Sequence, residues 1–224
     1  MCGRFAQYSS SKAYAELFGA ETSLDLAPRY NLAPTQPVAV VRALDGKRRE
    51  LVPMRWGLIP SWSKGPDTGY RLINARAETV AEKPSFRGAW QQRRGLIPSE
   101  GFYEWQSLAG GKQPYLIRLR DRQPFAMAGL WETWLNPVGE RIESCAIIVT
   151  NANALVAQIH ERMPVILPQS DWEAWFDHRQ REARSLLSLL RPCEPSRMEL
   201  FRVSRRVNDP RQEGADLIAP WESE

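Results

Sequence analysis

The sequence predicts an α+β fold, with a curved, barrel-like, mainly antiparallel β-sheet core and flanking helices. Three observations carry this expectation. Short runs rich in Val, Ile, Phe, Tyr and Trp outnumber the helical patterns. Tight turns such as Asp45-Gly46, Ala109-Gly110-Gly111 and Asn136-Pro137 join them, which suits antiparallel pairing. Pro98 and Gly101 interrupt one strand-like stretch and imply a bend or bulge there.

The elements follow in order. Residues 10–19 read as a short helix: Ser10 caps it, Tyr14, Leu17 and Phe18 share a face, and Gly19 stops it. Residues 29–37 are proline-rich and polar, and read as a loop. A strand over 38–41 is turned back by Asp45-Gly46 into a second over 50–56. Residues 59–70, with Pro60, Gly65, Pro66, Gly69 and Trp62, read as an exposed loop. In a short strand over 72–77, Asn74, Arg76 and the following Glu78 alternate with apolar residues, so these polar side chains point one way. Residues 79–92 are helical with an interruption near Pro84, and 95–106 form the bent strand. Strands follow over 114–120, 125–134 and 142–151, then a short helix over 153–160 that ends on His160. A strand over 163–167, helices over 171–176 and 181–190, and a strand over 198–204 complete the chain.

The chain has 224 residues, 43% hydrophobic and 25% charged, which suits one globular domain over 1–224. No apolar run approaches a membrane span, and the start lacks the pattern of a signal peptide. Cys2, Cys145 and Cys193 are three cysteines, so one is always unpaired; this points to a reducing cytosol and not to a disulfide framework. There is no CxxC, and His160 and His178 lack zinc-site spacing, so no structural metal is expected.

The start, Met1-Cys2-Gly3-Arg4-Phe5, carries the chemistry. If Met1 is removed, one residue bears both an α-amine and a thiol, titrating near pH ~8 and ~8.5 when unperturbed. Both are nucleophiles once deprotonated. The amine condenses with an aldehyde to an imine, and the thiol closes onto the imine carbon to give a thiazolidine. A buried, incidental cysteine is the plain alternative. Further along, arginines keep company with the nine tryptophans, as in Arg55-Trp56 and from Arg87 to Trp90. With the net charge of +4, this suits single-stranded nucleic acid, where cations track phosphates and rings stack on bases. Any single tryptophan can equally be core.

Three polar groups suit a partnership with Cys2. Asn74 is a neutral amide on its strand's polar face. Glu104 lies between Tyr103 and Trp105, where apolar neighbours raise a carboxyl pKa toward neutrality. His160 suits the protonation of a departing oxygen at pH 7. Each also has a structural reading: Asn74 as a turn cap, Glu104 as an arginine's partner, His160 as a helix cap.

The sequence resembles the SOS-response-associated peptidase (SRAP) family from Cys2 to about Ile218. The matching segments are Met-Cys-Gly-Arg-Phe at the start, Arg-Tyr-Asn-Leu-Ala-Pro-Thr from Arg29, Trp-Gly-Leu-Ile-Pro-Ser-Trp from Trp56 and Ile-Asn-Ala-Arg-Ala-Glu-Thr from Ile73. Gly-Phe-Tyr-Glu-Trp from Gly101, His-Glu-Arg-Met-Pro from His160 and Val-Ser-Arg-Arg-Val-Asn from Val203 follow. The resemblance implies a basic groove for DNA and a Cys2, exposed by loss of Met1, that links covalently to the aldehyde of an abasic site in single-stranded DNA. It implies catalytic partners at Asn74, Glu104 and His160, and phosphate contacts at Arg4, Arg76 and Arg162. Pro34 and Trp105 would be apolar walls, and Trp62 a stacking residue. It further implies autocatalytic Met1 removal, weak lyase activity when closure fails, a monomer in the cytoplasm, and no metal or organic cofactor.

The chain departs from the family pattern at Ser63, where many members carry a second aromatic, and at Glu161, where Asp is common. Two other functions compete. One is a cysteine peptidase with an amino-terminal nucleophile, using Cys2 and His160 on peptide bonds. The other is a single-strand-binding module without chemistry.

Overall fold

The computed structural model describes residues 2–44, 48–179 and 183–221. Strand β1 (Phe5–Gln7) is buried throughout. Helix α1 (Ser11–Phe18) begins where the Ser10 hydroxyl accepts the Ala13 N–H, and ends at Gly19, whose φ of 58° is left-handed. Tyr14 and Phe18 face inward, one turn apart. Leu17, expected on that face, is exposed at the stripe's edge.

A short β2 (Ala20–Glu21) precedes β3 (Arg29–Leu32), which corrects the loop expected over 29–37. β3 pairs antiparallel with β1, Phe5 opposite Leu32. Its polar composition is overridden by this pairing, and the prolines of the expected loop lie beyond the strand, Pro34 in the turn after it and Pro37 at the start of the next strand. β4 (Pro37–Ala43) and β5 (Arg49–Trp56) form the expected hairpin, although its Asp45-Gly46 turn lies outside the described residues. The following loop closes on itself where Gly57 crosses Gly69. A Cβ on Gly57 would stand 2.5 Å from the Gly69 carbonyl oxygen, so only glycine fits. β6 (Asn74–Arg76) is shorter than expected, and in α2 (Pro84–Gln92) Pro84 starts the helix instead of interrupting it.

The bent strand expected over 95–106 is two strands, β7 (Arg94–Ser99) and β8 (Gly101–Leu108), and they belong to different sheets. The change of sheet happens at Glu100. Its buried carboxylate accepts the Tyr14 hydroxyl at 2.7 Å and the N–H groups of Tyr8 and Ser9 at 2.9 and 3.1 Å. β9 (Gly111–Leu119), β10 (Phe125–Leu135) and β11 (Arg141–Asn151) follow as expected. The helix expected over 153–160 is only a 3₁₀ turn, Val156–Gln158, and His160 lies just beyond it. β12 (Arg162–Pro164), β13 (Ile166–Leu167), α3 (Trp172–Phe176), α4 (Ala183–Leu187) and β14 (Met198–Arg202) complete the elements. Part of the helix expected over 181–190 lies outside the described residues.

The first sheet has the order β14-β9-β8-β1-β3 and is antiparallel throughout. In the second, β5, β4, β7, β10 and β11 pair in turn, and β11 pairs back onto β5 in parallel, closing a ring. Barrel strands alternate between two cores, as a period of two requires. Ala39, Val41, Ala146 and Ile148 pack with the helices. Val38, Val40, Cys145, Ile147 and Val149 pack with Cys2, Phe5, Phe102 and Ile117 of the first-sheet side. The fold is thus α+β, barrel-like and mainly antiparallel, as the sequence predicts. Arg94, fully buried, ties two helix ends to the barrel by donating to the carbonyls of Trp90, Trp175 and Asp177 at 2.6, 2.6 and 2.7 Å.

Candidate active site and nucleic-acid interface

Cys2 precedes β1 and is fully buried in the second core. Burial pushes its thiol pKa up, and the neighbouring charge of Glu104 adds to the rise. Asn74 reaches it from β6, which the parallel pairing with β11 holds in register, Asn74 opposite Ile147. Its Nδ2 donates to the Cys2 carbonyl at 2.8 Å. Its Oδ1 is buried and accepts no hydrogen bond among the described residues.

Glu104 lies on β8, buried opposite Tyr115. Burial pushes its carboxyl up to about 7. His160 is half-buried, and burial holds its imidazole below the ordinary value. Its Nδ1 lies 3.0 Å from the Arg162 backbone nitrogen and 3.2 Å from the Arg162 carbonyl oxygen, so the tautomer sets which of the two it bonds.

Glu104 and His160 share a cavity of about 540 Å³ with Arg4, Trp105, Lys112 and Asn208. Arg4 is built into its wall. Its Nη1 donates to Asn31 Oδ1 and the Val207 carbonyl, each at 2.7 Å, and its guanidinium lies 5.7 Å from the centre of the Trp105 ring. The indole N–H of Trp105 donates to Asn208 Oδ1 at 2.7 Å. Asn31 fastens the late segment to the early one, donating to the carbonyls of Val207, Asp209 and Gln212.

The remaining expected residues sit further out. Arg76 is exposed at the end of β6, and Arg162 is ion-paired with Glu78 on β12, across β11. Trp62 is 63% exposed in the 57–72 loop. Pro34 is half-buried in the turn after β3 and does not line the cavity. Its neighbour Thr35 has a φ of 74°, unusual for a β-branched residue, and donates its N–H to the Trp56 carbonyl at 2.7 Å. Ser63 has structural work in the loop. Its hydroxyl bonds the Gly65 carbonyl and the Thr68 hydroxyl at 2.7 and 2.8 Å, and its carbonyl accepts the Trp134 indole N–H. The sequence reading missed Lys112, Asn31 and Asn208. Asn208 ends the Val-Ser-Arg-Arg-Val-Asn segment, which was its only signal, and Lys112 read as part of a turn.

The description of a matching family model, SOS response associated peptidase (SRAP), covers residues 1–210. The Abasic site processing protein YoqW of Bacillus subtilis (strain 168) is 41% identical over 222 residues, covering 97% of this chain and 99% of that protein. The Abasic site processing protein YedK of Escherichia coli (strain K12) is 31% identical, covering 98% of this chain and 100% of that protein. A crystal structure of a protein from Bacteroides thetaiotaomicron superposes with a TM-score of 0.88 at 27% identity, covering 99% of this chain and 100% of the other. With the motifs, the fold and these relatives in agreement, the chain belongs to the SOS response associated peptidase family.

Proposed function

We propose that this protein, after loss of Met1, binds single-stranded DNA and crosslinks to abasic sites through a thiazolidine on Cys2. The observation that carries the reading is the place of Glu104. It lies within electrostatic reach of the Cys2 thiol and also lines the cavity. The printed names of the relatives, abasic site processing proteins, support the same substrate.

The chemistry begins with the closed sugar of the lesion. Glu104, half-protonated near neutral pH, takes the proton of the sugar hydroxyl while the ring oxygen gains one, and the aldehyde opens. The freed Cys2 amine attacks the aldehyde carbon, and protonation of the resulting hydroxyl expels water to leave an imine. The thiol then adds its sulfur to the imine carbon and its proton to the nitrogen. One water is lost overall. Closure removes the imine, which would otherwise acidify the neighbouring carbon and promote strand cleavage by β-elimination. His160, held largely neutral, hydrogen-bonds the sugar oxygen, and Glu104 is the principal acid. Asn74 orients Cys2.

Arg4, Arg76 and Arg162 meet phosphates, Trp105 forms an apolar wall of the cavity, Pro34 meets the DNA outside it, and Trp62 stacks on a base. The protein acts as a single-domain monomer in the cytoplasm, without a cofactor. Autocatalytic cleavage at Met1 accounts for the peptidase in the family's description. Intact mass after incubation with an abasic oligonucleotide tests the reading. The expected species is the chain without Met1 plus the oligonucleotide minus one water. A protein that binds the oligonucleotide but never gains this mass is a binding module only.

A further inference from the structure

Lys112 lines the cavity, and Arg205 stands beside it against the same hairpin; neither is among the phosphate contacts the sequence predicts. Lys112, the second residue of β9, is opposite Ser107, and Pro114, two residues on, is opposite Trp105. With a period of two, Lys112 and Trp105 share one sheet face, and both line the cavity. Arg205 begins the 3₁₀ turn Arg205–Asn208, whose last residue holds the Trp105 indole. Its Nη1 donates to the Gly110 carbonyl at 3.3 Å, which places it against the tip of the β8–β9 hairpin that carries Lys112.

Both side chains are exposed, and neither has a carboxylate partner among the described residues. Their neighbours contrast with them: Arg206 is paired with Asp216, and Arg211 with Asp209. Arg162 is paired with Glu78. The cations at this edge are therefore left un-neutralised beside an aromatic wall, a combination that suits a strand whose phosphates follow bases out of the cavity.

We propose that Lys112 and Arg205 form a phosphate-binding lip that carries single-stranded DNA past one flank of the lesion. This rests on the proposed function and adds residues, and a direction, to it. The test uses the full-length chain with oligonucleotides carrying a tetrahydrofuran abasic analogue, which has no aldehyde and cannot react. One oligonucleotide has nucleotides only 5′ of the analogue, the other only 3′. Replacing both residues, Lys112→Gln with Arg205→Gln, should weaken binding to one oligonucleotide and spare the other. For the affected one, the slope of log affinity against log salt should flatten by about 1.4, taking ~0.7 per phosphate for single strands. The charge-keeping pair Lys112→Arg with Arg205→Lys should retain the wild-type slope. An unchanged slope in the glutamine variant, or equal loss for both oligonucleotides, overturns the lip. The proposed chemistry is judged separately, by whether the wild-type chain gains the adduct mass with an aldehyde-bearing abasic oligonucleotide.

Discussion

The side-chain amide of Asn74 donates to the backbone carbonyl of Cys2 at 2.8 Å, while its own oxygen is buried without a donor among the described residues. A buried acceptor in that state costs free energy and is expected to gain a partner when the site is loaded. Asn74→Asp removes the donor and sets a carboxylate against the Cys2 carbonyl. It should slow adduct formation by ~10²-fold, the scale of one lost positioned donor. Single-turnover crosslinking measures this, and a wild-type rate would reduce Asn74 to a structural tie.

Glu104 should make the fold less stable as pH rises. Its folded pKa of about 7 lies above the unfolded value, so the folded state holds the proton longer. Both states are protonated at pH 4, where nothing is lost. Between the unfolded value and about 7 the unfolded state binds fewer protons, and stability falls. Glu104→Gln should therefore match the wild type near pH 4. It should exceed it at pH 8 by up to ~3 kcal/mol, from a shift of a few pKa units. Urea unfolding at the two pH values decides it; a variant no more stable at pH 8 would mean that Glu104 is not strained in the fold.

The crosslinking rate should be bell-shaped in pH, rising as the Cys2 amine loses its proton and falling as the acid loses its own. Sequence reasoning assigned the acid to His160. Burial lowers the imidazole and raises Glu104 to about 7, so the falling limb should follow Glu104. Glu104→Gln should remove that limb. His160→Gln should lower the rate by roughly 10²-fold without moving it. A limb that moves with His160 instead would restore the first assignment.

Cys2→Ser keeps the amine and loses the sulfur. It should form an imine that borohydride traps, and no heat-stable adduct. Cys145→Ser and Cys193→Ser should crosslink as the wild type does. The active protein should lack Met1 by mass, and adduct formed by a chain that retains Met1 would end the aminothiol mechanism.

Arg76 and Arg162 should differ in salt dependence. Arg76 is exposed, whereas the charge of Arg162 already faces Glu78. Arg76→Ala should flatten the salt slope for single-stranded DNA by about 0.7, the value of one phosphate contact. Arg162→Ala should flatten it less. Equal slopes for Arg76→Ala and the wild type would place Arg76 outside the DNA path.

Local signals read well because their causes are local. Ser10 and Gly19 mark the ends of α1 through their own hydrogen bonding and φ preference. Glu104 and His160 stood out because their chemistry is legible in their neighbours. What failed was non-local. β3 exists because β1 pairs with it, and the 95–106 stretch divides because Glu100 finds its partners in Tyr8, Ser9 and Tyr14. Lys112 and Asn208 became site residues only when β8, β9 and the late 3₁₀ turn met around Trp105.

The bond from Arg4 to the Val207 carbonyl spans 203 positions of sequence. The cavity wall is therefore among the last features a growing chain can complete, because the loop that closes it contains nearly the whole protein. During synthesis the barrel and its helices have their sequence before the wall does. The ribosome thus separates the making of the scaffold from the making of the reactive pocket. The pocket that holds Glu104 and His160 is unassembled until residue 208 has emerged.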